Sequence, residues 1–172
     1  VDLERKTVLA IGPGLGERHD LVMRLLNAAT IPAVVDADAI NAIAAKRFLG
    51  RGLETILTPH PGEMARLSGA KVEDRLSLAH AFAQERNVCL VLKGFRTLIA
   101  LPDGRVWINP TGSPALAKGG SGDILTGLIA GLVAQHPKHI DVAVRAAVWL
   151  HGRAAELAAA ELTEFCVLAT DL

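Results

Sequence analysis

The sequence predicts an α/β protein built on a mostly parallel central sheet with helices on both faces. Short runs rich in Val, Ile and Leu alternate along the chain with stretches of helical periodicity. The runs are continuously apolar, as expected of strands buried on both sides, instead of alternating apolar with polar. Polar clusters follow the carboxyl ends of these runs, where open α/β sheets bind ligands. With 172 residues, 51% of them hydrophobic, the chain can bury one substantial core, and residues 1–172 are read as a single domain. Aromatic residues make up only 3%, so Ala, Val, Leu and Ile must build that core.

Thr7 to Ile11 is a short strand that ends in Gly12-Pro13-Gly14-Leu15-Gly16, and a helical stretch from Asp20 to Ala29 follows. The spacing of these glycines is not that of a dinucleotide fingerprint, so the turn implies only a close approach of backbone to something. Pro32 to Val35 gives a second strand, from whose end Asp36, Asp38 and Asn41 emerge. Capping of the next short helix accounts for one of these three residues, not for all. Thr55 to Leu57 is a third strand, followed by Thr58-Pro59-His60-Pro61-Gly62-Glu63. Two prolines make this turn rigid. Glu63 suits a first helical turn, whereas His60 has no expected helical role.

Val72, Leu76, Ala79 and Phe82 recur at helical spacing and predict a helix from Val72 to Asn87. Cys89 to Leu92 is the most apolar strand and runs into Lys93-Gly94-Phe95-Arg96-Thr97. Leu98–Ala100 and Val106–Ile108, joined across Pro102-Asp103-Gly104, predict a hairpin. Gly112, Gly119, Gly120 and Gly122 then lead to an apolar helix that opens at Asp123. Two readings of that loop stand at this point. Aspartate is a common N-cap and glycines turn chains. A glycine loop opening a helix is also an anion site, and a carboxylate there is a candidate proton acceptor. The last stretch, Val142 to Ala160, is apolar nearly all round and predicts a buried helix, with His151 as a face residue that finds a local partner. His19, His80, His136 and His139 read as surface residues.

Eighteen basic and eighteen acidic residues balance, which gives no electrostatic case for a nucleic acid or an anionic membrane surface. No apolar run approaches the roughly 20 residues of a membrane span. Cys89 and Cys166 both sit in apolar context and read as reduced core residues, consistent with a cytoplasmic protein.

Taken together and in order, G-P-G-L-G, V-V-D-A-D-A-I-N, T-P-H-P-G-E, L-K-G-F-R-T and N-P-T-G-S-P-A-L-A-K-G-G-S-G-D-I-L-T-G resemble the ADP/ATP-dependent NAD(P)HX dehydratases of the ribokinase-like superfamily. The resemblance extends from about Val8 to the closing Leu168-Ala169-Thr170-Asp171-Leu172. It implies a ribokinase-like, three-layer α/β/α fold. Family members carry a further N-terminal region that nothing here matches, so the chain is expected to be a C-terminal fragment of the family domain. The implied reaction is ADP- or ATP-dependent dehydration of the S form of hydrated NADH or NADPH (NADHX, NADPHX). It runs through phosphorylation of the C6 hydroxyl and elimination of phosphate.

The resemblance makes Asp123 the general base and a substrate contact, with Gly14, Asp38 and His60 also at the substrate. Lys93, Gly94, Phe95, Arg96, Thr97, Gly120, Ser121 and Gly122 become nucleotide-binding residues. Glu63 takes the place of an acid associated with Mg²⁺, which is held mainly through phosphates and water. A homotetramer, and an epimerase fused to the chain or working with it, are implied in the same way. The alternatives are a kinase of the same superfamily acting on a vitamin-precursor alcohol, and a nucleotide-binding module without turnover.

Overall fold

The structure is a computed structural model that describes residues 3–44 and 48–172. Six strands form one sheet in the order in which they occur along the chain. Strands β1 (Leu9–Ile11), β2 (Ala33–Val35), β3 (Gly52–Leu57) and β4 (Val88–Leu92) are parallel. β5 (Leu98–Ala100) and β6 (Val106–Ile108) extend the sheet as an antiparallel hairpin, with Ile99 opposite both Val91 and Trp107.

This strand order dictates the layering. Crossovers between adjacent parallel strands are right-handed as a rule, and all of these step in one direction, which puts their helices on one face. These are α1 (His19–Ala28), α2 (Ala37–Ala44), α3 (Pro61–Ser68) and α4 (Arg75–Arg86). Val22, Ile40, Met64 and Phe82 of these helices pack on Val35, Leu57, Leu90 and Leu92 of the sheet. The opposite face presents Val34, Ile56, Cys89, Val91 and Ile99, and is covered only after the sheet is complete. The cover comes from α5 (Ser121–Gln135) and α6 (Ile140–Cys166), through Leu125, Ile129, Val133, Val144 and Val148. The three-layer α/β/α expectation matches this arrangement.

Several expectations are corrected in detail. α4 starts at Arg75 and not Val72, because the Asp74 carboxylate accepts the Leu76 and Ser77 N–H groups and caps the helix there. α5 starts at Ser121, ahead of Asp123, on a left-handed Gly120. α6 runs on to Cys166, with non-helical backbone at Thr163, and it is not buried all round. One stripe packs inward, while Val142, Trp149, Leu150 and Leu157 are exposed, since the fold offers the outer side of α6 nothing to pack against. Cys166 is exposed and so is not a core residue, whereas Cys89 is buried as expected.

Burial pushes the Cys89 thiol up to about 12, which removes the thiolate from reach at neutral pH. The native protein is therefore expected to show one fast-reacting thiol per chain with a colorimetric disulfide reagent, and the second only in denaturant. Fast labelling of Cys89 in the native state would contradict this packing.

Candidate functional site at the carboxyl end of the sheet

The site is built around a buried carboxylate. Asp36, at the end of β2, is 1% exposed. Its Oδ1 accepts from Lys93 Nζ at 2.8 Å, and its Oδ2 accepts from Thr126 Oγ1 at 2.8 Å. One side chain thus joins the end of β2, the end of β4 and the first turns of α5. A Cβ on Gly122 would lie 3.2 Å from Lys93 Nζ, so the ammonium rests directly against the first turn of α5. Gly12 admits the other side: its φ is +134°, and a Cβ there would fall on the Asp36 carbonyl.

Beside Lys93 opens a cavity of about 500 Å³. Lys93 to Thr97 form one wall, the segment from Asn109 to Ala117 a second, and Ser121, Gly122 and Leu125 of α5 a third, with Val148, His151 and Gly152 of α6 completing it. The Lys93–Thr97 loop is held from α4, where the Arg75 guanidinium donates to the carbonyls of Leu92, Lys93 and Phe95. Within the loop, Thr97 Oγ1 donates to the Gly94 carbonyl, and Arg96 adopts a positive φ of 52°. Phe95, which lines the cavity, is 84% exposed. The facing segment is anchored to α6, as Thr111 Oγ1 donates to the Trp149 carbonyl and the Gly112 N–H donates to Glu156.

His60 proves to be the N-cap of α3, which corrects the expectation that it has no helical role. Its Nδ1 accepts from the N–H groups of Gly62 and Glu63, and its own N–H donates to Glu63 Oε2 at 2.8 Å. An accepting Nδ1 places the imidazole proton on Nε2, on a ring whose side chain is 52% exposed. Glu63 is 5% exposed and engaged in the same capping box. Among the described residues no group of three or more His, Cys, Asp or Glu could hold a metal ion. Asp38 accepts from the Gly16 N–H at 2.8 Å, which ties the turn bearing Gly14 to the end of β2.

Asp123 stands apart from the cavity. It is exposed and lies on a shallow groove along the outer side of α5, with Ile124, Gly127, Leu128, Gly131, Leu132 and Gln135. The first turn of α5 therefore divides two surfaces: Gly122 belongs to the cavity and Asp123 to the groove. The structure brings Lys93 to Thr97, Ser121 and Gly122 together around one cavity. It leaves His60, Glu63, Gly14 and Asp38 on the neighbouring rim and Asp123 beyond α5.

Sequence reasoning missed Asp36, Arg75 and His151 as site residues. His151 was expected to find a local partner, yet it is buried at 7% exposure with Nε2 unpaired among the described residues, beside the cavity. Burial holds its imidazole below the usual histidine range, and the Lys93 charge adds to this against an opposing backbone contact at Ser121.

Replacing Asp36 with Ala leaves Lys93 and Thr126 without their partner, and is expected to cost about 3 kcal/mol in urea unfolding. Replacement with Asn, which keeps the Thr126 bond, should cost less. Because the folded state lowers the affinity of His151 for a proton, its contribution to stability is complete above the unfolded value near about 6.5 and is lost as pH falls below it. The stability of His151→Phe, measured by denaturant titration, should fall less steeply between neutral and mildly acidic pH than that of the parent.

Comparison with known proteins agrees with this architecture. The family model described as NAD(P)H-hydrate dehydratase matches residues 1–172. The chain is 51% identical over 174 residues to the bifunctional NAD(P)H-hydrate repair enzyme Nnr of Moorella thermoacetica, covering 96% of this chain and 33% of that protein. It is 42% identical over 175 residues to the ADP-dependent (S)-NAD(P)H-hydrate dehydratase of Bacillus subtilis, of which it spans 62%. A crystal structure of the Bacillus subtilis ADP/ATP-dependent NAD(P)H-hydrate dehydratase, co-crystallized with ATP/Mg²⁺ and soaked with CoA, superposes with a TM-score of 0.84 over 96% of this chain and 63% of that one, at 40% identity. Phosphofructokinase-2 of Escherichia coli, at 17% identity and a TM-score of 0.60, shares the fold alone. On the match of the whole chain, this protein belongs to the NAD(P)H-hydrate dehydratase family.

Proposed function

We propose that this chain is the nucleotide-binding and phosphoryl-transfer part of an ADP- or ATP-dependent lyase that restores NADH or NADPH from the S form of their hydrates. The observation that carries this reading is the divided first turn of α5. Gly122 lies against Lys93 and the cavity, and the next residue, Asp123, is exposed on the other side.

In this reading the nucleotide occupies the cavity. Its phosphates lie near Lys93 and the N–H groups of Gly120, Ser121 and Gly122, where the positive end of α5 and the ammonium favour anions. The apolar walls Leu116, Leu125 and Val148 suit a base. The hydrated nicotinamide approaches from the Asp123 side and along the rim bearing Gly14, Asp38 and His60. His60, whose Nε2 lies 3.5 Å from Glu63 Oε1 on a half-exposed ring, offers an imidazole N–H to the substrate. Asp123, free of partners among the described residues, accepts the proton of the C6 hydroxyl as that oxygen attacks the terminal phosphorus. The donors at the start of α5 hold the charge on the transferring group. Electron push from the ring nitrogen then breaks the C6–O bond and expels phosphate, and loss of a C5 proton to that phosphate or to water re-forms the C5=C6 double bond.

The Bacillus subtilis relative was co-crystallized with ATP/Mg²⁺. Here Glu63 Oε2 accepts from the His60 N–H while Oε1 lies 3.5 Å from His60 Nε2, so Glu63 would meet such an ion through water, and no step is derived through a protein-held ion. Magnesium would enter already bound to the nucleotide's phosphates.

The same reading places the protein in the cytoplasm as a homo-oligomer, a tetramer by family resemblance, working with or fused to an epimerase. No helix in the described residues is long and apolar enough to cross a membrane. Exposed Val142, Trp149 and Leu157 on the outer side of α6 support burial against another copy.

Incubation with hydrated NADH and ADP, followed by the absorbance of the restored dihydropyridine, tests the proposal. Asp123→Asn is expected to lower the rate by about 10²–10⁴-fold while ADP still binds. An unchanged rate would sink the assignment of the base. A stable phosphorylated alcohol would indicate a kinase, and binding without turnover a nucleotide-binding module.

A further inference from the structure

Two polar side-chain atoms of the cavity-lining residues lack partners among the described residues. Ser121 Oγ and His151 Nε2 are both inaccessible and make no hydrogen bond among the described residues, and their residues are 3% and 7% exposed. Both residues line the cavity beside Lys93, although they come from different helices. An orphaned polar atom in a folded interior is a standing cost, removed when a partner arrives.

The position of His151 is enforced by its neighbour. A Cβ on Gly152 would collide with Thr111 Oγ1, so α6 packs against the Asn109–Gly112 segment without an intervening side chain. This close approach sets the His151 ring behind Ser121, at the end of the cavity nearest Lys93, whose charge it feels. The remaining walls there, Leu125 and Val148, offer no hydrogen bonds.

We propose that His151 and Ser121 form a hydrogen-bonding floor that receives the phosphate–ribose part of a nucleoside diphosphate, making His151 a nucleotide-binding residue supplied by α6. The inference rests on the reading of this cavity as the nucleotide site. A neutral imidazole and a hydroxyl can each donate or accept, which suits ester oxygens and ribose hydroxyls alike. Ser121 opens the helix whose N-terminus attracts the phosphates, and this places the pair at that end of the nucleotide and not at its base.

Calorimetric titration of the 172-residue chain with ADP, paired with thermal unfolding without ligand, tests this. His151→Phe should bind ADP about 10-fold more weakly, the loss of one good hydrogen bond. Its unliganded melting temperature should stay the same or rise, because an orphaned polar group has been removed. Ser121→Ala should behave in the same direction, and His151→Gln should recover most of the affinity. Parent-like ADP binding by His151→Phe, with Lys93→Ala defective, would overturn the inference and leave the nucleotide site standing. Parallel loss of stability and affinity in both the Phe and Gln variants would reduce His151 to a structural residue. Parent-like binding by Lys93→Ala and His151→Phe together would overturn the reading of the cavity itself.

Discussion

A buried carboxylate is tolerated only when its lone pairs are occupied, and Asp36 meets that condition through two parts of the chain far from it in sequence. Lys93 and Thr126 must both reach it. That requirement fixes where β4 ends relative to β2, and which turn of α5 rests on the sheet. It also explains two glycines at once: Gly12 makes room for the Asp36 backbone, and Gly122 makes room for the Lys93 ammonium. The cation is held at the positive end of a helix, a place where it is disfavoured unless anions compensate it. Asp36 supplies one such anion permanently, and a bound phosphate would supply more.

The layer order turns this local constraint into a site. Because the crossovers run in one direction, the strand ends of β1 to β4 present their loops from the first helical layer. α5 reaches the same rim from the opposite layer. Residues of two independent packing faces therefore meet only at the rim. Between them the cavity wall from Asn109 to Ala117 is held to α6 by Thr111 and Glu156, and the facing loop is held to α4 by Arg75. Each wall is anchored to a helix instead of being left as a free loop. That anchoring is what preorganised binding asks of a scaffold.

Much of this was legible in the sequence wherever the signal was local. The strands, the β5–β6 hairpin and the glycine loop before α5 follow from apolar runs, turn residues and the left-handed tolerance of Gly120. What escaped depends on partners remote in the chain. Spacing alone does not say which of Asp36 and Asp38 turns inward; the positive φ of 46° at Ala37, between them, sends one to Lys93 and the other to Gly16. The cap made by His60 did leave a trace, namely Glu63 three residues on in a capping-box position. That trace is weak because histidine is not among the usual caps. His151 lies on a helix whose apolar composition suggested burial all round. Only the close packing of Gly152 on Thr111 reveals that this part of α6 faces a cavity.

The distribution of unsatisfied chemistry is itself informative. A fold selected for stability alone would pair Asp123, satisfy Ser121 and His151, and relax Ala37 and Arg96 from their left-handed backbone. Here these five residues gather at the carboxyl end of the sheet, although Arg5 and Thr163 also have positive φ and Arg86 Nε is also unpaired among the described residues. Asn87, which also has positive φ, is by contrast an ordinary C-cap that closes α4 at the other end. A carboxylate proposed as a base must be open to its substrate, and side chains proposed to receive a ligand must keep their hydrogen-bonding capacity unspent. Asp36 and Asp123 mark the two ends of that division of labour. One carboxylate is buried and held between Lys93 and Thr126, and the other, on the adjoining helix turn, is exposed to solvent and, in the proposed reading, to substrate.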